Sequence, residues 1–243
     1  MNEYVEKRYQ LRTLDFDRYL NVRPVAILDL FQDCAGIHTA IFKCDRAHII
    51  EKGLFWVLVN VKFETISNPK PMQEVIVKTW PLRSAGVRYI RNFQVFSETG
   101  ELLIKGTSCW TILDIVSRRV VPKAKVFPDD MEYLTENTFD EKLVKIDDFE
   151  PTKALKTVKT EFSDLDFNEH VNNAKYADLI VNALYCGENL RVRSMQIDYH
   201  KEIRYNEDVM LLSKHEGEKT FVKGVLTDGS TAFISEMTLI PNE

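Results

Sequence analysis

The segment that runs from residue 164 to residue 176 concentrates side chains able to perform acid–base chemistry. It reads Asp-Leu-Asp-Phe-Asn-Glu-His-Val-Asn-Asn-Ala-Lys-Tyr and directly precedes an apolar stretch that predicts a helix. The first N–H groups of a helix lack intrahelical acceptors and carry partial positive charge. Such groups can stabilise the oxygen of a carbonyl that becomes negative during acyl transfer. The segment therefore predicts a site where a nucleophile attacks a carbonyl carbon.

Asp166, Asn168 and His170 are the candidate catalytic residues of this segment. Asp166 precedes His170 by four residues, a spacing that suits a carboxylate orienting an imidazole, and Asn168 can donate or accept a hydrogen bond. Glu202 lies in or just after a predicted strand over residues 192–199 and is the candidate base that activates water. The sequence leaves open an exchange of roles in which Asp166 activates the water.

A structural interpretation competes at several of these positions. Asp164, Asn172 and Asn173 are residue types that cap helices, although Asn172 and Asn173 could equally contact a substrate. A lone histidine in a turn often has a structural role. The spacing of the candidate residues matches no structural zinc pattern, so we expect neither a metal nor another cofactor.

A second copy of the segment, without its histidine, begins near residue 15. The two copies match at a constant offset of 149 residues, and Asn21 occupies the position of His170. Each half of the chain reads as a strand, a helix and four further strands, which indicates two copies of one αβ unit. We expect an N-terminal domain over residues 1–121 without the catalytic set, a linker over 122–152 and a catalytic domain over 153–243.

Both predicted helices, over residues 25–37 and 171–186, are apolar on most sides. A helix that is apolar nearly all round should be buried. The predicted fold class is therefore α+β, a tandem (double) hot-dog in which each half wraps an antiparallel β-sheet around a central helix. We expect the two halves to pair side by side, so the chain would be a monomeric pseudo-dimer or a homodimer.

Composition restricts the classes of function. The formal net charge of −5 argues against nucleic-acid binding, and no apolar run approaches the ~20 residues that span a bilayer. The N-terminal residues have the pattern of neither a secretory signal nor a transit peptide, so we expect a cytoplasmic protein without a membrane partner. The four cysteines, Cys34, Cys44, Cys109 and Cys186, show no metal-binding or redox spacing and are expected to be free thiols.

The segment from residue 164 to residue 176 resembles the acyl-acyl carrier protein thioesterases, double hot-dog enzymes of plants and bacteria that end fatty-acid synthesis. The likeness extends over most of the chain and includes the stretches 53–58, 107–111 and 199–202. The resemblance implies catalytic roles for Asp166, Asn168, His170 and Glu202. Many plant members carry a cysteine directly after this glutamate, whereas this chain has Ile203, so we do not expect thiol catalysis.

The resemblance implies hydrolysis of fatty acyl-acyl carrier protein to free fatty acid, with the acyl-phosphopantetheine of the carrier as substrate. Candidate walls for the acyl chain are Phe31, Phe55, Trp56, Leu58 and Ile66, although ordinary core is the favoured interpretation for most of these residues. Basic residues that could face an acidic carrier, or equally form an ordinary solvated charged surface, stand at positions 83, 88, 91, 118, 119, 123 and 125.

Three other functions use the same kind of fold. An acyl-coenzyme A thioesterase would share the chemistry, and a dehydratase would remove water from a 3-hydroxyacyl chain. A non-catalytic acyl-binding protein is the third alternative. The complete second copy of the site favours an enzyme, because only the first copy has lost the candidate residues.

Overall fold

The computed structural model describes residues 3–83, 86–122, 126–127, 131–184 and 189–242. The chain forms two compact units. Unit 1 comprises Met1–Thr13 and Asp29–Leu143, and unit 2 comprises Leu14–Leu28 and Val144–Glu243. The first copy of the polar loop thus belongs to unit 2 although it precedes unit 1 in the sequence. Domain boundaries near residues 121 and 153 stay a prediction.

Unit 1 contains a five-stranded antiparallel sheet and most of one long helix. Its elements are β1 (Val5–Gln10), α1 (Pro24–Ile41), α2 (Arg46–Glu51), β2 (Leu54–Thr65), β3 (Glu74–Pro81), β4 (Tyr89–Ser97) and β5 (Leu102–Asp114). The strands are arranged in the order β1-β3-β4-β5-β2. Residues 24–28 of α1 belong to unit 2.

Unit 2 repeats this arrangement. Its elements are β6 (Lys153–Lys159), α3 (Lys175–Leu184), β7 (Leu190–Tyr199), β8 (Asp208–Glu216), β9 (Lys219–Leu226) and β10 (Thr231–Pro241). The strand order β6-β8-β9-β10-β7 corresponds strand for strand to that of unit 1. The internal repeat predicted from the sequence is therefore a repeat of topology.

A phenylalanine opposite a glycine marks the side of each sheet on which its helix packs. In unit 1, Phe93 on β4 pairs with Gly106 on β5, and Phe31 of α1 stacks on Phe93 with 4.3 Å between ring centroids. A Cβ atom at Gly106 would lie 2.1 Å from Phe31 Cε2, so only glycine leaves room for the ring. In unit 2, a Cβ at Gly224 would likewise lie 2.2 Å from Cε1 of its cross-strand partner Phe233.

The helices differ in extent from the sequence prediction. α1 runs through Gly36 and ends at Ile41, because a glycine inside a helix with buried neighbours costs only ~1 kcal/mol. α3 begins at Lys175 rather than at residue 171, and the predicted end of this helix at Cys186 and Gly187 lies outside the described residues. α2 was not predicted. No helix in the described ranges is long and apolar enough to cross a membrane.

The segment predicted as a linker is divided between the two units, with its part up to Leu143 in unit 1 and its part from Val144 in unit 2. In unit 1, the Glu136 carbonyl accepts hydrogen bonds from Trp80 Nε1 at 2.9 Å and from Asn92 Nδ2 at 3.1 Å. The ring of Phe139 lies beneath Lys62 and Lys105. Lys105 adjoins Gly106, and successive strand residues point to opposite sides. The segment therefore covers the side of the sheet opposite to α1.

The same segment then continues along unit 2. Gln196 Nε2 donates to the Val144 carbonyl at 2.7 Å, and the Ile146 N–H donates to Asp198 Oδ2 at 2.7 Å. Asp198 is fully buried by this contact. Asp198 adjoins Tyr199, whose ring contacts Tyr176 of α3, so this part of the segment lies on the side opposite to α3.

Candidate active site

The loop that carries the candidate residues of unit 2 is closed by its own backbone. The Asp166 N–H donates to the His170 carbonyl at 2.8 Å, and the Glu169 N–H donates to the Asp166 carbonyl at 3.0 Å. Glu169 has a φ of 65°, the left-handed conformation that reverses the chain. The Asn172 N–H donates to the Asp164 carbonyl at 2.8 Å and ties the loop to the turn before it. The imidazole of His170 is thus presented from a fixed backbone.

His170 and Glu202 lie in contact. His170 Nε2 is 3.1 Å from Glu202 Oε2, and the two side chains are 23% and 43% exposed. The residues after Glu202 are attached to the loop: His170 forms a β-bridge with Arg204, and the Val171 N–H donates to the Ile203 carbonyl at 2.8 Å. A carboxylate and an imidazole that are 32 residues apart in the sequence therefore meet at a surface that water can reach.

Asp166 contacts Asn168 and not the imidazole. Asp166 Oδ1 accepts the Asn168 N–H at 2.7 Å, and its Oδ2 accepts Asn168 Nδ2 at 3.2 Å. We expected Asp166 to orient the imidazole of His170. In the structure the carboxylate that contacts this imidazole is that of Glu202. The carboxylate of Asp166 instead orders the loop backbone and holds the carboxamide of Asn168.

The first copy of the loop, also in unit 2, shows the same backbone design. The Asp17 N–H donates to the Asn21 carbonyl at 2.9 Å, and the Leu20 N–H donates to the Asp17 carbonyl at 3.1 Å. Leu20 has a φ of 62°. Asp17 Oδ1 accepts the N–H groups of Tyr19 and Asn21 at 2.8 Å and 2.9 Å. The aspartate shared by both copies therefore orders the backbone of its loop.

At the position of His170, the first copy presents a carboxamide that is already engaged. Asn21 Nδ2 donates to Asn242 Oδ1 at 2.7 Å, and Asn242 Nδ2 in turn donates to Asn189 Oδ1 at 2.7 Å. In the same loop, Arg23 forms an ion pair of 2.8 Å with Asp178 of α3. The side chains of Asn21 and Arg23 thus bind neighbouring segments of unit 2, whereas His170, at the position of Asn21 in the second loop, contacts Glu202.

The N–H groups before α3 are not equivalent. Asn172 Oδ1 accepts the Ala174 N–H at 2.9 Å and its carbonyl accepts the Lys175 N–H at 2.8 Å, so Asn172 caps the start of the helix. Within the described ranges no acceptor faces the N–H of Asn173. This group can therefore donate to an added oxygen, whereas the N–H groups of Asn172 and Ala174 are occupied.

A buried tyrosine, Tyr176, and a half-buried one, Tyr199, hold the parts of the site together, and the sequence analysis did not assign them a role. Tyr199 donates its hydroxyl to the Asn173 carbonyl at 2.8 Å. The hydroxyl of Tyr176 hydrogen-bonds the backbone of Ile203, the residue after Glu202. The two rings meet edge-on at 5.0 Å, and burial raises the pKa of both hydroxyls. The signal available in the sequence was Tyr176 itself, the last residue of the polar segment.

The residues expected to line an acyl pocket occupy different surroundings in unit 1. Phe31 and Leu58 are buried, whereas Ile66, just beyond β2, is half exposed. Trp56 donates from Nε1 to the Cys44 carbonyl at 2.8 Å, and the guanidinium of Arg118 lies over the ring of Phe55. Their role in binding an acyl chain stays a prediction.

The basic residues expected to face a partner include one that is not on the surface. Arg91 is only 5% exposed and lies 3.1 Å from His38, so it cannot contribute to a charged surface patch. Arg83 lies over the ring of Tyr133, and residues 123 and 125 lie outside the described ranges. The exposed members that the structure describes are Arg83, Arg88, Arg118 and Arg119.

The fold and the site together define the class of protein. Two αβ units of one topology, with a histidine–carboxylate pair at the entrance of the central helix of one unit, constitute a tandem hot-dog protein. Sequence comparison then identifies the family. Residues 2–131 match the profile of the acyl-ACP thioesterase N-terminal domain, and residues 150–232 match that of the C-terminal domain. The chain therefore belongs to the acyl-ACP thioesterase family.

Individual relatives agree with this assignment. Over 163 residues, or 63% of this chain, the sequence is 31% identical to the chloroplastic palmitoyl-acyl carrier protein thioesterase of Gossypium hirsutum. This match covers 39% of that protein, so the chain spans about two fifths of its length.

Solved structures share the tandem hot-dog fold. The acyl-ACP thioesterase of Bacteroides thetaiotaomicron superimposes with a TM-score of 0.83 at 18% identity, covering 98% of both chains. The 12:0-ACP thioesterase of Umbellularia californica also gives a TM-score of 0.83 at 18% identity, covering 100% of this chain and 99% of the other. The predicted fold class is thereby confirmed.

Proposed function

We propose that this protein hydrolyses the thioester of fatty acyl-acyl carrier protein and releases free fatty acid. The observation that carries the proposal is the 3.1 Å contact between His170 Nε2 and Glu202 Oε2 beside the start of α3. Membership of the acyl-ACP thioesterase family and the names of the relatives support the choice of substrate.

In the proposed mechanism, Glu202 is the base. A carboxylate has two oxygens, so Glu202 can hold His170 through one oxygen and accept a proton from water through the other. The water oxygen forms a bond to the thioester carbon, and the carbonyl oxygen becomes an oxyanion. The N–H of Asn173, at the positive end of α3, donates to this oxygen.

Collapse of this intermediate breaks the carbon–sulfur bond. The thiolate leaves and receives the proton that Glu202 or the imidazole of His170 holds. Because a thiolate is a good leaving group, the step needs little acid assistance. Asp166 acts indirectly, since its carboxylate fixes the backbone and the carboxamide of Asn168, which positions the water or the substrate. No thiol nucleophile is required, and Ile203 follows Glu202.

The physiological setting forms part of the proposal. The acyl carrier protein would present its acyl-phosphopantetheine to His170 and Glu202 of unit 2. A cytoplasmic location and action as a monomeric pseudo-dimer or a homodimer complete this assignment.

Thiol release from acyl carrier protein and coenzyme A substrates of equal chain length tests the proposal. Wild-type protein should release free thiol and fatty acid from the carrier substrate with the larger kcat/KM. His170→Ala and Glu202→Ala should each lose on the order of 10²–10⁴-fold in kcat, the usual contribution of a general acid or base. Asn21→Ala is the matched control in the other loop and should retain turnover.

Two results would overturn the assignment. Folded His170→Ala and Glu202→Ala proteins with near-normal turnover would exclude the proposed pair. An enoyl product from a 3-hydroxyacyl substrate, without free thiol, would identify a dehydratase. A higher kcat/KM for the coenzyme A substrate would retain the mechanism and replace the carrier.

A further inference from the structure

A tight turn over residues 204–207 of unit 2 is held by one buried threonine. Thr160 directly follows β6 and is only 1% exposed. Its hydroxyl donates to the Arg204 carbonyl at 2.6 Å and accepts the Glu207 N–H at 3.0 Å. Its N–H donates to the Glu207 carbonyl at 3.0 Å, and its carbonyl accepts the Asn206 N–H at 3.1 Å. All three polar groups of Thr160 are therefore engaged by this turn.

Unit 1 contains the equivalent turn, over residues 70–73, held by a leucine. The Leu11 N–H donates to the Gln73 carbonyl at 2.9 Å, and the Leu11 carbonyl accepts the Met72 N–H at 3.0 Å. The third residue of the turn has a φ of 64°, against 62° at the third residue of the turn in unit 2. Leu11 occupies the position of Thr160 in the internal repeat and is also 1% exposed. The same backbone arrangement thus forms without a hydroxyl.

The two turns are capped alike but closed differently. Gln73 Oε1 accepts the Lys70 N–H at 2.9 Å, and Glu207 Oε2 accepts the Arg204 N–H at 2.8 Å. In unit 1, the Gln73 N–H donates directly to the Lys70 carbonyl at 3.2 Å. In unit 2, the Thr160 hydroxyl bridges the two corresponding groups, since a hydroxyl can donate and accept at once. The side chain at this position therefore decides how the turn closes.

The Thr160 hydroxyl acts next to the candidate catalytic pair. Arg204, whose carbonyl it holds, forms the β-bridge with His170 and follows Glu202 by two residues. Leu11 shows that the turn as such does not require a hydroxyl. By bridging two groups that bond directly in unit 1, the hydroxyl sets the path of the chain between Glu202 and the turn.

We propose that Thr160 is a positioning residue of the candidate active site, and that its hydroxyl fixes the turn so that Glu202 reaches His170. It acts through the backbone of Arg204 and not on the reacting atoms. This role rests on the proposed function, in which Glu202 is the base, but the contact between Glu202 and His170 can also be measured without turnover.

Steady-state kinetics with the acyl carrier protein substrate test the role in turnover. Thr160→Val removes the hydroxyl and keeps the branched shape, so kcat should fall about 10–100-fold with KM unchanged, the cost of a base displaced by about 1 Å. Thr160→Ser keeps the hydroxyl and should restore kcat. Thr220→Val is the matched control, because Thr220 is a buried threonine of unit 2 whose hydroxyl lies 3.0 Å from His215 Nδ1, and it should retain kcat.

NMR spectra of protein with isotope-labelled histidine test the contact itself. Glu202→Gln removes the charge beside His170 Nε2 and should shift the imidazole signals of His170. Thr160→Val should shift these signals in the same direction, whereas Thr160→Ser should leave them at the wild-type position. If Thr160→Val does not fold, Thr160→Ala removes the same hydroxyl and takes its place in both measurements.

Three results would overturn the proposal. Folded Thr160→Val with wild-type kcat would exclude a role in turnover, and identical His170 signals in wild type and Thr160→Val would exclude a role in the contact. A loss of kcat that Thr160→Ser shares would show that packing, and not the hydroxyl, is what matters. If wild-type protein released no thiol from the carrier substrate, the proposed function would fail, and the His170 signals would still decide the role of Thr160.

Discussion

Asp17 and Asp166 provide an internal test of which loop residues are structural. Asp17 accepts two backbone N–H groups of its own loop at 2.8 Å and 2.9 Å and, more weakly, Asn21 Nδ2 at 3.3 Å. Asp166 accepts the N–H and Nδ2 of Asn168 at 2.7 Å and 3.2 Å. Hydrogen bonds to charged groups contribute ~1.5–3 kcal/mol each when they are buried, and these loops are partly exposed. We therefore expect Asp17→Ala and Asp166→Ala to lower the free energy of unfolding by similar amounts, about 1–3 kcal/mol each.

The effects on turnover should differ between the two variants. Asp166→Ala loosens the loop that carries Asn168 and His170, so kcat should fall, but by less than the ~10²–10⁴-fold expected for loss of a base. Asp17→Ala should retain turnover at temperatures where it is folded. Asp166→Asn keeps an oxygen for the Asn168 N–H and should restore much of both stability and kcat.

Urea denaturation followed by tryptophan fluorescence measures the free energies of unfolding, and thiol release from acyl carrier protein measures kcat. One pattern would refute this reasoning. If Asp166→Asn were as stable as wild type and yet lost turnover by the full factor of a missing base, Asp166 would be the residue that activates water. Unequal destabilisation by the two alanine substitutions would show that the loops are not equivalent in structure.

Three further predictions concern the site and the buried thiols. Glu202→Gln keeps an oxygen that can accept from His170 but removes the base, so kcat should fall ~10²–10⁴-fold with an unchanged melting temperature; a retained kcat would mean that Glu202 only orients the imidazole. Tyr176→Phe removes the hydroxyl that contacts the backbone next to Glu202, so steady-state kinetics should show a lower kcat with KM unchanged. A change in KM alone would contradict this positioning role. Burial raises the pKa of the Cys34 thiol to about 11 and that of the Cys44 thiol to about 12. Mass-spectrometric mapping after treatment with iodoacetamide at pH 8 should therefore find both cysteines unlabelled in the folded protein and labelled in guanidinium. Labelling of the folded protein should rise only as the pH approaches those pKa values.

The sequence by itself determined the repeat, the fold class and the family. Apolar helices preceded by matching polar loops, each followed by four strands, can bury their apolar surface only inside a curved sheet. The strand order then proved identical in the two units. The resemblance rested on a segment whose residue types are specific enough to identify a family without coordinates.

The tertiary structure decided which side chains of the site contact one another. Spacing along the chain suggested that Asp166 orients His170, but the folded loop directs that carboxylate to Asn168, and Glu202 reaches the imidazole from a distant segment. Sequence separation does not encode such contacts, because they depend on how the end of β7 is tied to the loop. The capping of α3 by Asn172, which leaves the N–H of Asn173 as the donor, is likewise visible only in three dimensions.

Burial was the other property that sequence reasoning could not supply. Arg91 belongs to a run of basic residues that suggested a surface, yet its position on β4 turns it towards α1. Strand residues alternate between two sides, and a sequence does not state which side is enclosed when polar and apolar residues share it. The fold alone therefore separates a cation that meets solvent from one that is enclosed in the interior of unit 1.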